Sequence, residues 1–178
     1  METKITQDED QKYHYAEAYA IALDVLKQLE PHCIRAEIAG SIRRKKPLVG
    51  DIEIVAIPKP YSTGGLFNDN GIATVVNQWE KVRGDMEYGK TKYTQRILPS
   101  GIALDLFFAQ EDNWGSIFAI RTGSADYSYK VLASTWASLG YKSEGGYLFK
   151  DGKRYEMREE IDLFNFLGLR YVEPEKRI

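Results

Sequence analysis

GSIRRKKPLVGDIEIVAI, residues 40–57, decides how this chain is read. It opens on Gly40-Ser41, turns through four basic residues from Arg43 to Lys46, and passes Gly50 into an apolar strand that begins Asp51-Ile52-Glu53. Side chains alternate along a strand, so Asp51 and Glu53 share one face while Ile52, Ile54 and Ala56 share the other. Two carboxylates about 4 Å apart repel by on the order of 4 kcal/mol at the effective dielectric of a protein surface, which asks for a cation between them. Oxygen ligands of this kind suit Mg²⁺, which takes a few carboxylates and completes its octahedron with water and substrate phosphate. A short helix starting at Ser41 would turn its free N–H groups toward an anion, with Arg43 or Arg44 adding a bidentate clamp. The stretch predicts a phosphate site followed by a metal site. A solvated basic loop and a polar strand edge would give the same letters, so a third carboxylate is what separates the readings.

Outward from this stretch, composition sets the limits. A chain of 178 residues makes one generous domain or two small ones, with enough buried surface to need no disulfide or structural metal. With 43% hydrophobic and 28% charged residues it reads as globular, and no apolar run approaches the ~20 residues of a membrane span. The segment METKITQDEDQK is polar and acidic, unlike a secretory signal or a basic transit peptide, so a reducing, cytoplasmic home is expected. Cys33 stands alone, and with His14 and His32 it makes no zinc spacing; any metal should be bound by oxygen. A net charge of −2 and a pI near 5.8 disfavour non-specific nucleic-acid binding but allow a local basic groove.

Residues 1–12 read as a frayed tail. From residue 13 to 28, Tyr15, Tyr19, Ala22, Leu26 and Leu29 predict one stripe of an amphipathic helix that Pro31 ends. Cys33 to Ile38 alternates as a strand, delivering the chain to Gly40. Pro58 and Pro60 stop the next strand, residues 62–71 are rich in turn formers, and Ile72 to Trp79 reads as a short helix with Trp79 in the core. YTQRILPSGIALDLFFA, residues 93–109, is a predicted hairpin about Pro99-Ser100-Gly101. On its second strand Asp105 is the single acid in an apolar run, either paired to a residue such as Arg96 or the missing third carboxylate. If the two strands neighbour each other, Asp51, Glu53 and Asp105 converge.

Beyond residue 112 the texture changes. Asn113 can cap a helix through Arg121, Thr122-Gly123 breaks it, and Ser124 can cap a second helix to Leu139, stopped by Gly140. A meander of short strands through Tyr155 and a last helix from Glu159 to Leu167 complete the pattern. The expected domains are 1–112 and 113–178.

In the order GSIRR, GDIE, LDLF, RTGS and FLGLRYVEPEKR, from residue 13 onward, the chain resembles the palm and thumb of the X-family DNA polymerases, the group of DNA polymerase beta in the nucleotidyltransferase superfamily. The resemblance implies an α+β fold: a nucleotidyltransferase palm with a mixed, mostly antiparallel sheet and helices on one face, then a small α/β thumb. It implies that Asp51, Glu53 and Asp105 are catalytic and bind two Mg²⁺ ions, with Mn²⁺ able to substitute. Gly40, Ser41, Arg44 and Gly50 would hold the triphosphate, and Arg121, Thr122 and Gly123 the sugar. Lys45, Lys46, Arg96, Ser128 and Lys130 would contact gapped or primer-template DNA. The implied activity is DNA-directed addition of deoxynucleoside triphosphates to a primer 3′-hydroxyl, in short-gap repair, by a monomer. With no room ahead of Tyr13 for a lyase or helix-hairpin-helix domain, the chain is similar to the reduced palm-and-thumb members.

Three departures stand out. Glu53 occupies a position where the polymerases usually have Asp, and the helix after Ser124 carries little basic charge besides Lys130. Ile120 and Arg121 replace an aromatic pair that crowds the sugar 2′ position in many members. Two other functions use much of the same set: a nucleotidyltransferase acting on a small molecule, a protein or an RNA end, and a non-catalytic nucleotide- or nucleic-acid-binding module.

Overall fold

Strand β1 (Tyr13–His14) leads into helix α1 (Tyr15–Leu29), whose buried face is Ala18, Ala22, Val25 and Leu29. This face is rotated from the predicted stripe. Small alanines let the helix lie close on the sheet, while Tyr15, partly buried against the core, stacks on the exposed Tyr19 four residues on, with ring centroids 5.6 Å apart. A 3₁₀ turn containing Pro31 closes the helix. The computed structural model describes residues 11–60, 71–87 and 89–178; the predicted loop over 62–71 and the tail lie outside them, apart from Gln11, Lys12 and Gly71.

Strand β2 (Cys33–Ile38), the short helix α2 (Gly40–Arg43), β3 (Leu48–Val49) and β4 (Asp51–Pro58) follow. Next come α3 (Ile72–Val76), β5 (Glu80–Arg83), β6 (Tyr93–Ile97) and β7 (Ala103–Phe108). Among the described residues five strands form one sheet in the order β2, β4, β7, β6, β5, in which only the β4–β7 pair is parallel. A mixed, mostly antiparallel sheet in an α+β fold is thus present as predicted.

Alternation on β4 and β7 explains the layers. Ile52, Ile54, Ala56, Leu104, Leu106 and Phe108 pack with α1 and α3 on one face. On the other, the first two alternate positions of β4 are Asp51 and Glu53, but the next two are Val55 and Ile57. Those apolar residues, with Phe107, are covered by Trp114 and Phe118 of helix α4 (Trp114–Thr122). Helices α1 and α3 thus keep to one face, and the second face is roofed at one end by α4, which lies beyond the predicted palm boundary, and is open at the acidic end.

The remaining chain builds its own core. Ser124 caps a helix that runs as α5 (Ala125–Tyr127), a π-helical stretch (Ser128–Ala133) and α6 (Ser134–Ser138), its Oγ accepting from the Tyr127 N–H at 3.0 Å. An antiparallel meander of β8 (Lys142–Glu144), β9 (Tyr147–Lys150) and β10 (Lys153–Tyr155) precedes helix α7 (Glu160–Phe166). Leu132, Leu148, Met157, Leu163 and Phe164 form this core, which Ala119 of α4 also joins. The expected division after residue 112 falls just before a helix that serves both cores.

An ionic clasp ties the two parts. The Glu160 carboxylate accepts from both Arg43 Nη atoms at 2.7 and 2.9 Å, from Arg177 Nη1 and from Tyr171 Oη. Arg177 is 0% exposed, and its Nε donates to the Val172 carbonyl. Gly115 lets α4 and α7 cross closely: a Cβ there would stand 2.1 Å from the Glu159 carbonyl oxygen. Cys33 is a free, buried thiol, and no helix among the described residues is long and apolar enough to cross a membrane.

Candidate active site

The turn that opens residues 40–57 is shaped by what lies beneath it. Gly40 has φ +59°, and a Cβ there would fall 1.8 Å from Glu53 Oε2, so only glycine allows both the backbone and the carboxylate. The Ala39 N–H donates to the Glu53 carbonyl at 2.8 Å, fixing the turn to the acidic strand. Arg44 Nη1 donates to the Thr122 carbonyl at 2.7 Å, which brings the start of the thumb to the same turn. Two buried polar atoms here have no protein partner: Ser41 Oγ and Arg44 Nε. Such orphans are rare and mark a place where another group bonds.

Parallel pairing puts Glu53 of β4 directly beside Asp105 of β7, with Asp51 two residues earlier on the same face. Burial, then the neighbouring acids, pushes the Glu53 carboxyl up to about 8, against the pull of Arg44 and Arg121. Asp51 is raised by burial and by Asp105, with Lys12 and Arg44 opposing. Asp105 is raised by burial, opposed by hydrogen bonds from Tyr93 and Gln95 and by Arg121 and Arg83. Three partly desolvated acids, two of them raised further by their neighbours, form a site that a cation would relieve. Glu53 leans against Gly40, and among the described residues no three acidic, histidine or cysteine side chains gather tightly enough to enclose a metal ion. Lys12 lies at the other side of Asp51, its Nζ 3.1 Å from where a Cβ on Gly50 would stand, so Gly50 makes room for a cation.

Residues 119–178 match the family model described as DNA polymerase beta thumb. The fold superposes on Leishmania infantum polymerase beta in a ternary P/T complex with a TM-score of 0.66 at 18% identity, over 96% of this chain and 78% of that one. The chain has a polymerase beta-like fold, and its last third matches the polymerase beta thumb. No curated protein sequence matches it.

In this polymerase-like frame the remaining predicted residues separate. Arg121 is exposed, its guanidinium 3.9 Å over the Phe107 ring, and Phe107 shares the face of Asp105. Thr122 is buried, with its Oγ1 accepting from Arg43 Nη1 at 2.6 Å. Gly123 packs so closely on Ser128 that a Cβ would stand 2.6 Å from its Oγ, which itself donates to the Ile120 carbonyl. Ile120 packs into the thumb core instead of over the sheet. Of the two candidate clamps, Arg43 is committed to Glu160 and Thr122, which leaves Arg44.

Arg96 requires correction. It pairs with Leu104, so it lies on the opposite face from Asp105, and it is 3% exposed. Its guanidinium bonds Thr94 Oγ1, Asn77 Oδ1 and the Gly84 carbonyl, a structural role behind the sheet that neither neutralises Asp105 nor offers a charge to DNA. Lys45 and Lys130 are exposed and pair with Glu175 and Asp126, surface bonds weak enough to be exchanged for phosphate; Lys46 is half-buried. Sequence reasoning missed Tyr93, Gln95 and Lys12. The signal for the first two was the hairpin register, which sets Tyr93 against Phe107 and Gln95 against Asp105.

Proposed function

We propose that this protein is a DNA-directed DNA polymerase that joins a deoxynucleotide to a primer 3′-hydroxyl, filling short gaps in DNA repair. The observation that carries the reading is the register of Glu53 with Asp105, which assembles three acids beside a turn holding the unpartnered Ser41 Oγ and Arg44 Nε. The donor set, all oxygen and mutually repelling, fits Mg²⁺ held by Asp51, Glu53 and Asp105; two such ions, when bound, neutralise charge at the attacking and leaving oxygens of an in-line displacement. The chain's own groups do the positioning. Ser41 Oγ and Arg44 Nε donate to the triphosphate and offset the charge that develops on the leaving pyrophosphate. Arg44 also grips the Thr122 carbonyl, so the phosphate turn and the sugar-lining segment move as one unit. Lys45, Lys46 and Lys130 contribute salt-dependent contacts to DNA phosphates.

Primer extension on a gapped duplex with Mg²⁺, beside transfer of radiolabelled ATP to small-molecule, protein and RNA acceptors, tests the reading. Template-dependent extension is expected; labelling of another acceptor without extension would replace it. Arg44→Ala should lower kcat/KM for the nucleotide by roughly a hundredfold, whereas Lys45→Ala should chiefly reduce the salt dependence of DNA binding. Equal effects would reduce the basic run to a diffuse patch.

Sugar choice follows from the exposed Arg121. With Ile120 turned into the thumb core, we read the exposed guanidinium of Arg121 as taking the place of a ring that would wall off a 2′-hydroxyl, and it can donate to that hydroxyl. Ribonucleotides should be incorporated within about two orders of magnitude of deoxynucleotides. Single-turnover incorporation of dATP and ATP opposite template T measures this, and discrimination beyond about a thousandfold would assign the gate to the backbone.

A further inference from the structure

Asp105 is the one acid of the three whose carboxylate is held by neutral side chains. The Tyr93 hydroxyl donates to Asp105 Oδ1 at 2.8 Å, and Gln95, its direct cross-strand partner, donates as well. Tyr93 reaches diagonally, from opposite Phe107 to the residue two before it, a span that an aromatic side chain covers across antiparallel strands. Its ring is pinned. It stacks on Phe107 with centroids 5.0 Å apart and planes at 26°, and the same Phe107 ring carries the Arg121 guanidinium at 3.9 Å.

A lone carboxylate across from Glu53 and near Asp51 would be pushed by their charge toward whichever rotamer takes it furthest from them. A phenol fixed by stacking opposes that displacement, because the short, charge-assisted bond exists in one orientation of the carboxylate. We propose that Tyr93 is a positioning residue that locks Asp105 in the orientation its ligand and substrate need. This rests on the polymerase reading of the same site. Tyr93 touches Asp105 and not the triphosphate turn, so its hydroxyl governs the chemical step and cation affinity while leaving nucleotide affinity alone.

Tyr93→Phe keeps the stack and removes only the hydroxyl. Two readouts are compared with the parent: Mn²⁺ binding followed by electron paramagnetic resonance without DNA or nucleotide, and single-nucleotide incorporation. Loss of such an orienting bond lowers metal affinity or turnover by roughly ten- to a hundredfold, so Mn²⁺ affinity and kcat should each fall about tenfold or more with KM for dNTP within about twofold. Tyr147→Phe is the matched control: it deletes a phenol–carboxylate bond of the same kind, to Asp112 at 2.6 Å, in the thumb meander, and should alter neither readout. Mn²⁺ binding and kcat both within about twofold of the parent in Tyr93→Phe would overturn the proposal, as would a change confined to KM. A parent that binds Mn²⁺ without extending primers would end the polymerase reading alone; Mn²⁺ affinity in Tyr93→Phe would then decide the role of Tyr93. A parent that binds no Mn²⁺ overturns both.

Discussion

Asp51→Asn and Asp105→Asn should each lower primer extension by roughly a thousandfold or more while the protein remains folded. The magnitude follows from where the charge lies. Both carboxylates are at the open end of the sheet face, beside Glu53 and within the field of Arg44 or Arg121, so nothing else there can supply the missing negative charge. The stability half of the expectation has the opposite sign. Burial raises all three acids, neighbouring carboxylates raise Asp51 and Glu53 further, and Glu53 stands at about 8, so ionising them works against the fold. A group whose folded pKa is raised stabilises below its unfolded value and loses that contribution as pH rises through the folded one. Without a divalent cation, the parent should therefore melt lower at pH 9 than at pH 6, and Glu53→Gln should remove part of that slope. Circular dichroism melts across this range, paired with single-turnover extension, check both halves. Extension near the parent rate in either aspartate variant would remove the site assignment.

Glu160→Gln should be the most destabilising of the conservative substitutions, by about 3–5 kcal/mol, the range found when one partner of a buried ion pair is removed. The amide keeps the volume but leaves Arg177, fully buried, facing a neutral group, and loosens Arg43 from Phe118 and Thr122. Urea unfolding measures the change, and a loss below about 1 kcal/mol would show that solvent compensates the guanidinium. The pH dependence has a definite sign. Burial would raise the Glu160 carboxyl, but Arg43 and Arg177 outweigh it and hold the group down from 4.5 to about 2. Its contribution, on the order of 3 kcal/mol, is present above about pH 4.5 and disappears as pH falls through 2. Glu160→Gln should flatten the acid limb of the parent's stability profile.

Much of this molecule was legible because local alternation is strict where it matters. DIEIVAIP spells a strand with one polar and one apolar side for its first half and two apolar sides for its second, which is the open site and its roof. LPSGIALDLFF spells the hairpin and isolates Asp105. What local pattern could not give was the partner of each cation. Arg43 and Arg44 are neighbours in sequence and alike in chemistry, and only the approach of Glu160, 117 residues later, separates a structural guanidinium from one with an unfilled Nε. Arg96 failed for a different reason: proximity to Asp105 in sequence suggested an ion pair, but the register of β6 against β7 sends the two side chains to opposite faces. Helix α1 was found in place but rotated, because its alanines, weak as hydrophobic signals, allow the closest approach to the sheet.

The distance along the chain between Arg43 and Glu160 also bears on the order of folding. The palm strands pair mainly with near neighbours in sequence, whereas the clasp closes a loop of 117 residues and must absorb that entropy before its ion pair forms. Until the thumb docks, Arg43 remains solvated and the Thr122 carbonyl is not yet presented to Arg44. The turn of residues 40–44 is thus expected to be completed after its own strands are built, and on the polymerase reading a half-folded chain would carry its acids without the arginine geometry that grips a nucleotide.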